Sequence, residues 1–194
     1  MEDPRIAMVL RFWFEELAPE QHWKRDSAVD AVIAERFGDL NGQAARGDCD
    51  GWQGSSDGAL ALVITLDQFS RNLFRDSPDA WANDPKALAI ATAAIDAGFD
   101  QQQPEMRRLF FYLPFEHSEV LADQERCVAL FSGLDLPESH VAAVHRHHEI
   151  IERFGRFPHR NAVLGRESTA EEIAFLKGEG DDGGGNDISE EVRH

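Results

Sequence analysis

The chain has 194 residues, 42 % hydrophobic and 28 % charged, which suits one soluble domain with a sizeable core. A formal net charge of −17 weighs against nucleic acid or an anionic membrane as the main partner, since both select basic surfaces. Cys49 and Cys127 stand far apart with no CxxC spacing, the pattern of isolated reduced thiols.

The opening "MEDPRIAMVLRFWFEEL" begins acidic and Arg11 interrupts its apolar run, so it does not read as a secretion signal. No apolar run reaches the length of a membrane span, and a cytoplasmic location is expected. Periodicity is helical almost throughout. Ile6, Val9, Leu10, Trp13, Phe14 and Leu17 recur at three- and four-residue steps behind Asp3 as cap and Pro4 in the first turn. After the break "APEQHWKRD", Ser27 is expected to cap a second helix with Val29, Val32, Ile33, Phe37 and Leu40 inward. "RGDCDGWQGSSDG" is a loop by composition, and Asp57 then caps "GALALVITLDQFSRNLF", apolar on most sides and therefore central.

Asp84-Pro85 opens a fourth helix that ends at Gly98, and Pro104 opens a fifth that Pro114 is expected to stop. Ser118 caps a sixth through Phe131, and Pro137 opens a seventh closed by Gly155. Ser168 or Thr169 caps an eighth, with Glu171 or Glu172 completing a capping box. These elements predict an all-α fold of about eight helices in stacked antiparallel pairs, one domain over residues 1–177. The arrangement expected is tetratricopeptide-like and right-handed, without that repeat's consensus. The acidic, Gly-rich segment 178–194 is expected to be flexible.

Four groups of polar residues sit where a plain core would not put them. Asp67 and Arg71 lie one turn apart on an apolar stripe with Leu60, Ile64 and Phe74, which predicts a structural ion pair, with Asn72 beside it facing a helix end. Glu116 and His117 follow Pro114 in what reads as a tight connection, a pair able to do acid–base work. In "HRHHE", His148 aligns with Val141, Val144 and Ile151 and reads as a hydrogen-bonded core histidine. Last, "RFGRFPHRN" gathers Arg156, His159, Arg160 and Asn161 around a short turn whose donors suit a carboxylate or phosphate, or the protein's own Asp67, Glu116, Glu119 or Asp123. No nucleophile elbow, phosphate loop or dinucleotide fingerprint is present, no metal site is defined and no cofactor is implied.

The stretches "VLRFWFEEL", "LDQFSRNLFR", "FFYLPFEHSEVLADQERCVALF" and "HHEIIERFGRFPHRNAVLGRESTAEEIAFL" resemble the bacterial family catalogued as domain of unknown function 924, over essentially Arg5 to Leu176. The resemblance implies an all-α fold grouped with tetratricopeptide-like helical folds and brings no activity, cofactor or catalytic residues. The family's motif blocks match Asp67, Gln68, Arg71, Asn72, Glu116, His117, Ser118, Glu119, Gln124 and the run Arg156 to Asn161. Ser70 stands where the family's motif commonly has proline.

Two functional expectations follow, from different classes. The first is a helical scaffold that binds a small anionic ligand or peptide carboxylate through Arg71, Asn72, Arg156, His159, Arg160 and Asn161. The second is a hydrolase-type enzyme with Glu116 and His117 as an acid–base pair, His159 as a second base, and Arg156 and Arg160 stabilising negative charge. It requires the segments around Glu116 and His159 to meet in one pocket. A third reading closes every one of these groups into a structural network with no room for a ligand.

Overall fold

A computed structural model describes residues 3–178; apart from Gly178, the acidic segment expected to be flexible lies outside them. Among the described residues the regular structure is helical, with no strand. The helices are α1 (Pro4–Arg11, continued by a π-helical turn, Phe12–Glu16), α2 (Ser27–Arg46), α3 (Ser56–Leu66), α4 (Gln68–Leu73) and α5 (Asp84–Asp96), then α6 (Glu105–Glu116), α7 (Leu121–Phe131), α8 (Glu138–Phe154) and α9 (Ala170–Leu176). With α3 and α4 taken as one rod broken at Asp67, they are the eight helices that the periodicity predicts. None is long and apolar enough to cross a membrane.

The core forms around α3. Its residues Ala59 to Leu66 are buried on every side, as an all-round apolar helix requires. It packs against α1, α2, α5 and α6. Aromatic rings fill the space between α1, α2 and α4: Phe37 lies 5.0 Å from Phe12 and 4.9 Å from Phe69. Beyond α6 the chain continues by neighbour packing, α6 on α7 and α7 on α8, as short connections between consecutive helices dictate. A smaller cluster of Ile150, Ile151 and Phe157, with Phe154 and Phe175 against it, seats α9 and the turn at Pro158–Arg160.

The start of α3 makes a close approach. Ser55, not Asp57, is its cap, its hydroxyl accepting from the Gly58 N–H at 3.2 Å. A methyl group on Gly58 would run into the Trp52 carbonyl oxygen and stand 2.9 Å from Ser55 Oγ. Alanine's gain in helix propensity, ~1 kcal/mol, is therefore outweighed. Gly58→Ala is expected to destabilise the fold by about 1–3 kcal/mol in denaturant unfolding, and a stabilised variant would contradict this contact.

Other boundaries shift for identifiable reasons. Asp26 rather than Ser27 caps α2, accepting from Ala28 N and Val29 N. Pro114 does not stop α6, which runs on to Glu116. The ~3 kcal/mol cost of an internal proline is offset because Leu109 to Phe115 are all buried. Ser118 does accept from Val120 N, but α7 begins only at Leu121 with Val120 as its cap, so Glu119 precedes the helix. The capping box of α9 forms as expected between Thr169 and Glu172. On α8 the buried histidine is His147, not His148: the inward stripe runs His140, Val144, His147, Ile151.

Candidate functional site

Where α3 gives way to α4, three successive carbonyls each receive a side-chain donor. Asn41 Nδ2 donates to Thr65 O at 2.7 Å, Ser70 Oγ to Leu66 O at 2.6 Å and Arg71 Nη1 to Asp67 O at 2.9 Å. These bonds hold the broken rod in shape and fix the Asp67 side chain in the interior, fully buried.

Asp67 is the hub. Its Oδ1 lies 2.8 Å from His117 Nδ1 and 3.2 Å from Arg71 Nη1, and its Oδ2 accepts from Gln68 Nε2 at 2.6 Å. Arg71 also forks onto Asp84, Nη1 to Oδ1 at 3.0 Å and Nη2 to Oδ2 at 3.1 Å. Burial by itself would raise the Asp67 pKa, but Arg71 and then His117 outweigh it and hold the carboxyl well below the usual range. Asp67 is therefore an ionised, acceptor-only group, so the proton of a neutral His117 sits on Nδ1 and its Nε2 presents a lone pair.

A second carboxylate–histidine pair lies beside the first. Glu116 Oε1 is 3.0 Å from His147 Nδ1, which also faces Ala143 O at 2.8 Å. Both partners are acceptors, so Nδ1 carries a proton here too. Burial opposes the charge on each member, but the pairing wins: His147 is raised above the ordinary histidine value and Glu116 is lowered below the ordinary glutamate value. The His147 share of this stability is full below the free-histidine pKa and is lost as pH rises through the raised one.

These pairs border a cavity of ≈ 170 Å³. Along α6 its wall passes from Leu109 through Leu113 to Glu116 and His117, so the space has an apolar stretch and a polar end. Gln68, Arg71 and His147 complete the polar end. Trp23, Phe131, His140 and Ala143 are among the remaining walls, with Trp23 stacked on Phe110 at 5.9 Å. Among the described residues no three His, Cys, Asp or Glu side chains form a metal-ligand set.

The segment Arg153 to Asn161 touches the Glu116–His117 segment, but none of its residues lines the cavity beside Glu116 and His117, so the single pocket that the enzyme reading requires of Glu116 and His159 does not form there. Arg160 Nη1 donates to His117 O at 3.1 Å, and Phe157 N to Glu119 Oε1 at 2.7 Å. Arg160 is buried, lies over the rings of Phe157 (4.5 Å) and Trp81 (5.4 Å), and is 3.8 Å from Asp84 Oδ2. Burial, and then the nearby Arg71 charge, lower its pKa to about 10, so it remains a cation at neutral pH.

The other expected site residues face elsewhere. Arg156 pairs with Glu172 and with Glu167 O, not with Asp67 or Glu116. Asn72 donates to Asp30 Oδ1. Asn161 donates to Ser168 and accepts from Arg166, which forks onto Glu119. His159 packs its ring on Phe157, 5.5 Å between centroids, and is not among the cavity's wall residues. Of the residues singled out in sequence, Arg71, Glu116 and His117 border the cavity while Asp67 and Arg160 lie directly behind them. His147 and Trp23 were missed.

A family model described as "Bacterial protein of unknown function (DUF924)" matches residues 9–180. The chain belongs to the DUF924 family. A solved structure, "Structure of Protein of Unknown Function ATU0120 from Agrobacterium tumefaciens", is similar at 40 % identity over 90 % of this chain and 98 % of that one, with a TM-score of 0.86. No protein among those with curated functions matches. Ser70, where the resemblance leads one to expect proline, lies at the rod break. Proline at position 70 has no N–H to offer the Leu66 carbonyl, and here the Ser70 hydroxyl donates to that carbonyl.

Proposed function

We propose that the cavity beside α6 and α8 is a small-molecule site where His117 takes a proton from the bound molecule or its attacking water. His147 supplies one. The observation that carries this reading is the presence of two carboxylate–histidine pairs, Asp67–His117 and Glu116–His147, on one cavity. Asp67 orients His117 so that Nε2 is the basic nitrogen. Glu116 favours the imidazolium of His147, which makes it the acid. A histidine presenting Nε2 beside one favoured as its imidazolium puts a base and an acid on one cavity, the pairing that acid–base catalysis near neutral pH uses. Arg71, in the same wall, adds positive charge to that end of the cavity, which favours negative charge developing on a bound carbonyl oxygen. The chemistry served is activation of water for hydrolysis, or removal of a proton next to a carbonyl.

The anion-clamp reading is weaker on charge. Arg71 is shared by Asp67 and Asp84, Arg156 is matched by Glu172, and Arg160 gives its bond to a backbone carbonyl. A panel of small esters, amides and carbonyl compounds with exchangeable α-protons, assayed on the wild-type chain and His117→Gln, tests the proposal. Turnover of one class that depends on His117 is the expected result. Turnover of none, or equal turnover by the variant, contradicts it.

A further inference from the structure

We infer that the cavity takes a small uncharged aromatic acyl compound, a single ring bearing a carboxamide or ester. This rests on reading the cavity as the site of proton exchange and adds the class of molecule it holds. Size sets the first bound. A cavity of about 150 Å³ accommodates benzene, so ≈ 170 Å³ admits one ring with one small substituent and is too small to enclose a whole nucleotide.

The walls set the second bound. Leu109, Leu113 and Phe131 offer apolar surface, and Trp23, with His140 edge-on at 5.1 Å, adds aromatic surface. A flat ring can stack on or meet these aromatic walls edge-on, contacts that an aliphatic of equal atom count does not make. The polar end then requires both a donor and an acceptor. His117 Nε2 needs a donor in the ligand or in a water carried with it, while the positive charge of Arg71 in the same wall favours an acceptor. A carboxamide supplies both, and an ester does so with one water.

Charge sets the third. Three carboxylates (Asp67, Asp84, Glu116) stand against three cations (Arg71, Arg160, His147), each with a partner in the same cluster. An added carboxylate would be desolvated without a cation of its own. The acid corresponding to the favoured amide should therefore bind more weakly, which also suits release of an acidic product.

The test titrates benzamide, benzoate, acetamide and inorganic phosphate into the full chain, followed by ligand-observed NMR. Benzamide is expected to bind at least about tenfold more tightly than the other three, equivalent to ~1.4 kcal/mol. Ala143→Leu, which fills the cavity, is expected to abolish benzamide binding while circular dichroism shows the helices intact. If that variant does not fold, quenching of Trp23 fluorescence by benzamide in the wild type, lost in Trp23→Phe, locates the probe instead. No benzamide binding, benzoate or phosphate binding more tightly, acetamide binding equally well, or binding unaffected by these changes overturns the inference. Benzamide binding with His117-independent turnover would sink the proton-exchange reading alone. His117-dependent turnover of aliphatic substrates without benzamide binding would sink this inference alone.

Discussion

Asp67→Ala is expected to lower the unfolding free energy by about 3–5 kcal/mol, the range for removing one member of a buried ion pair. The carboxylate is fully buried and serves Arg71, His117 and Gln68 at once. Removing it deletes the hub and leaves three donors facing a hole. Arg71 keeps its fork on Asp84, which limits the loss. Asp84→Ala should cost less, about 1–3 kcal/mol, because Asp84 is partly exposed and Arg71 would retain Asp67. Replacing Asp67, Arg71 and Asp84 together by leucine, methionine and asparagine should recover part of the loss, since that set leaves none of the three charges unmatched. Denaturant unfolding with m-values checks all three. A loss under ~1 kcal/mol for Asp67→Ala would mean that the network contributes little and that some other contact holds the break at Asp67.

The second large effect is on rate. His117→Gln should lower turnover of whichever substrate the panel reveals by about 10²–10⁴-fold, the usual contribution of a positioned acid or base. Glutamine can still offer a hydrogen bond toward Asp67 but has no basic nitrogen. Its stability should therefore change much less than its rate, which separates a catalytic role from a structural one. Asp67→Asn should also slow turnover. An asparagine amide turned toward His117 as a donor would force the opposite tautomer and place the proton on Nε2, where the lone pair is needed. If His117→Gln loses stability and rate in parallel, His117 is a structural member of the network.

The fold was readable because it rests on local signals: three- and four-residue apolar spacing, prolines at helix starts, and the Thr169–Glu172 capping box. Caps were misplaced by one or two residues where several candidates adjoined, as at Ser55 and Asp57. Pro114 misled because its local cost is real and only tertiary burial of α6 offsets it. The Asp67–Arg71 pair was legible because i, i+4 spacing is itself a contact. Its partners His117 and Asp84 were not, since they lie 50 and 13 residues away and nothing local encodes which carboxylate meets which donor. The same limit sent Arg156 to Glu172 rather than to Asp67 or Glu116. His147 had a signal that was overlooked. The stripe His140, Val144, His147, Ile151 follows four-three-four spacing, and choosing it over the stripe through His148 would have placed a histidine opposite Glu116.

The central claim is that two histidines at one cavity are each oriented by a carboxylate on Nδ1, and nitrogen-resolved NMR of the imidazoles across pH tests it most directly. The account predicts that neutral His117 carries its proton on Nδ1 with Nε2 bare, and that His147 stays protonated to higher pH than a free histidine, whose pKa is about 6.5. A neutral His117 protonated on Nε2, or a His147 that loses its proton below the free-histidine value, would contradict it.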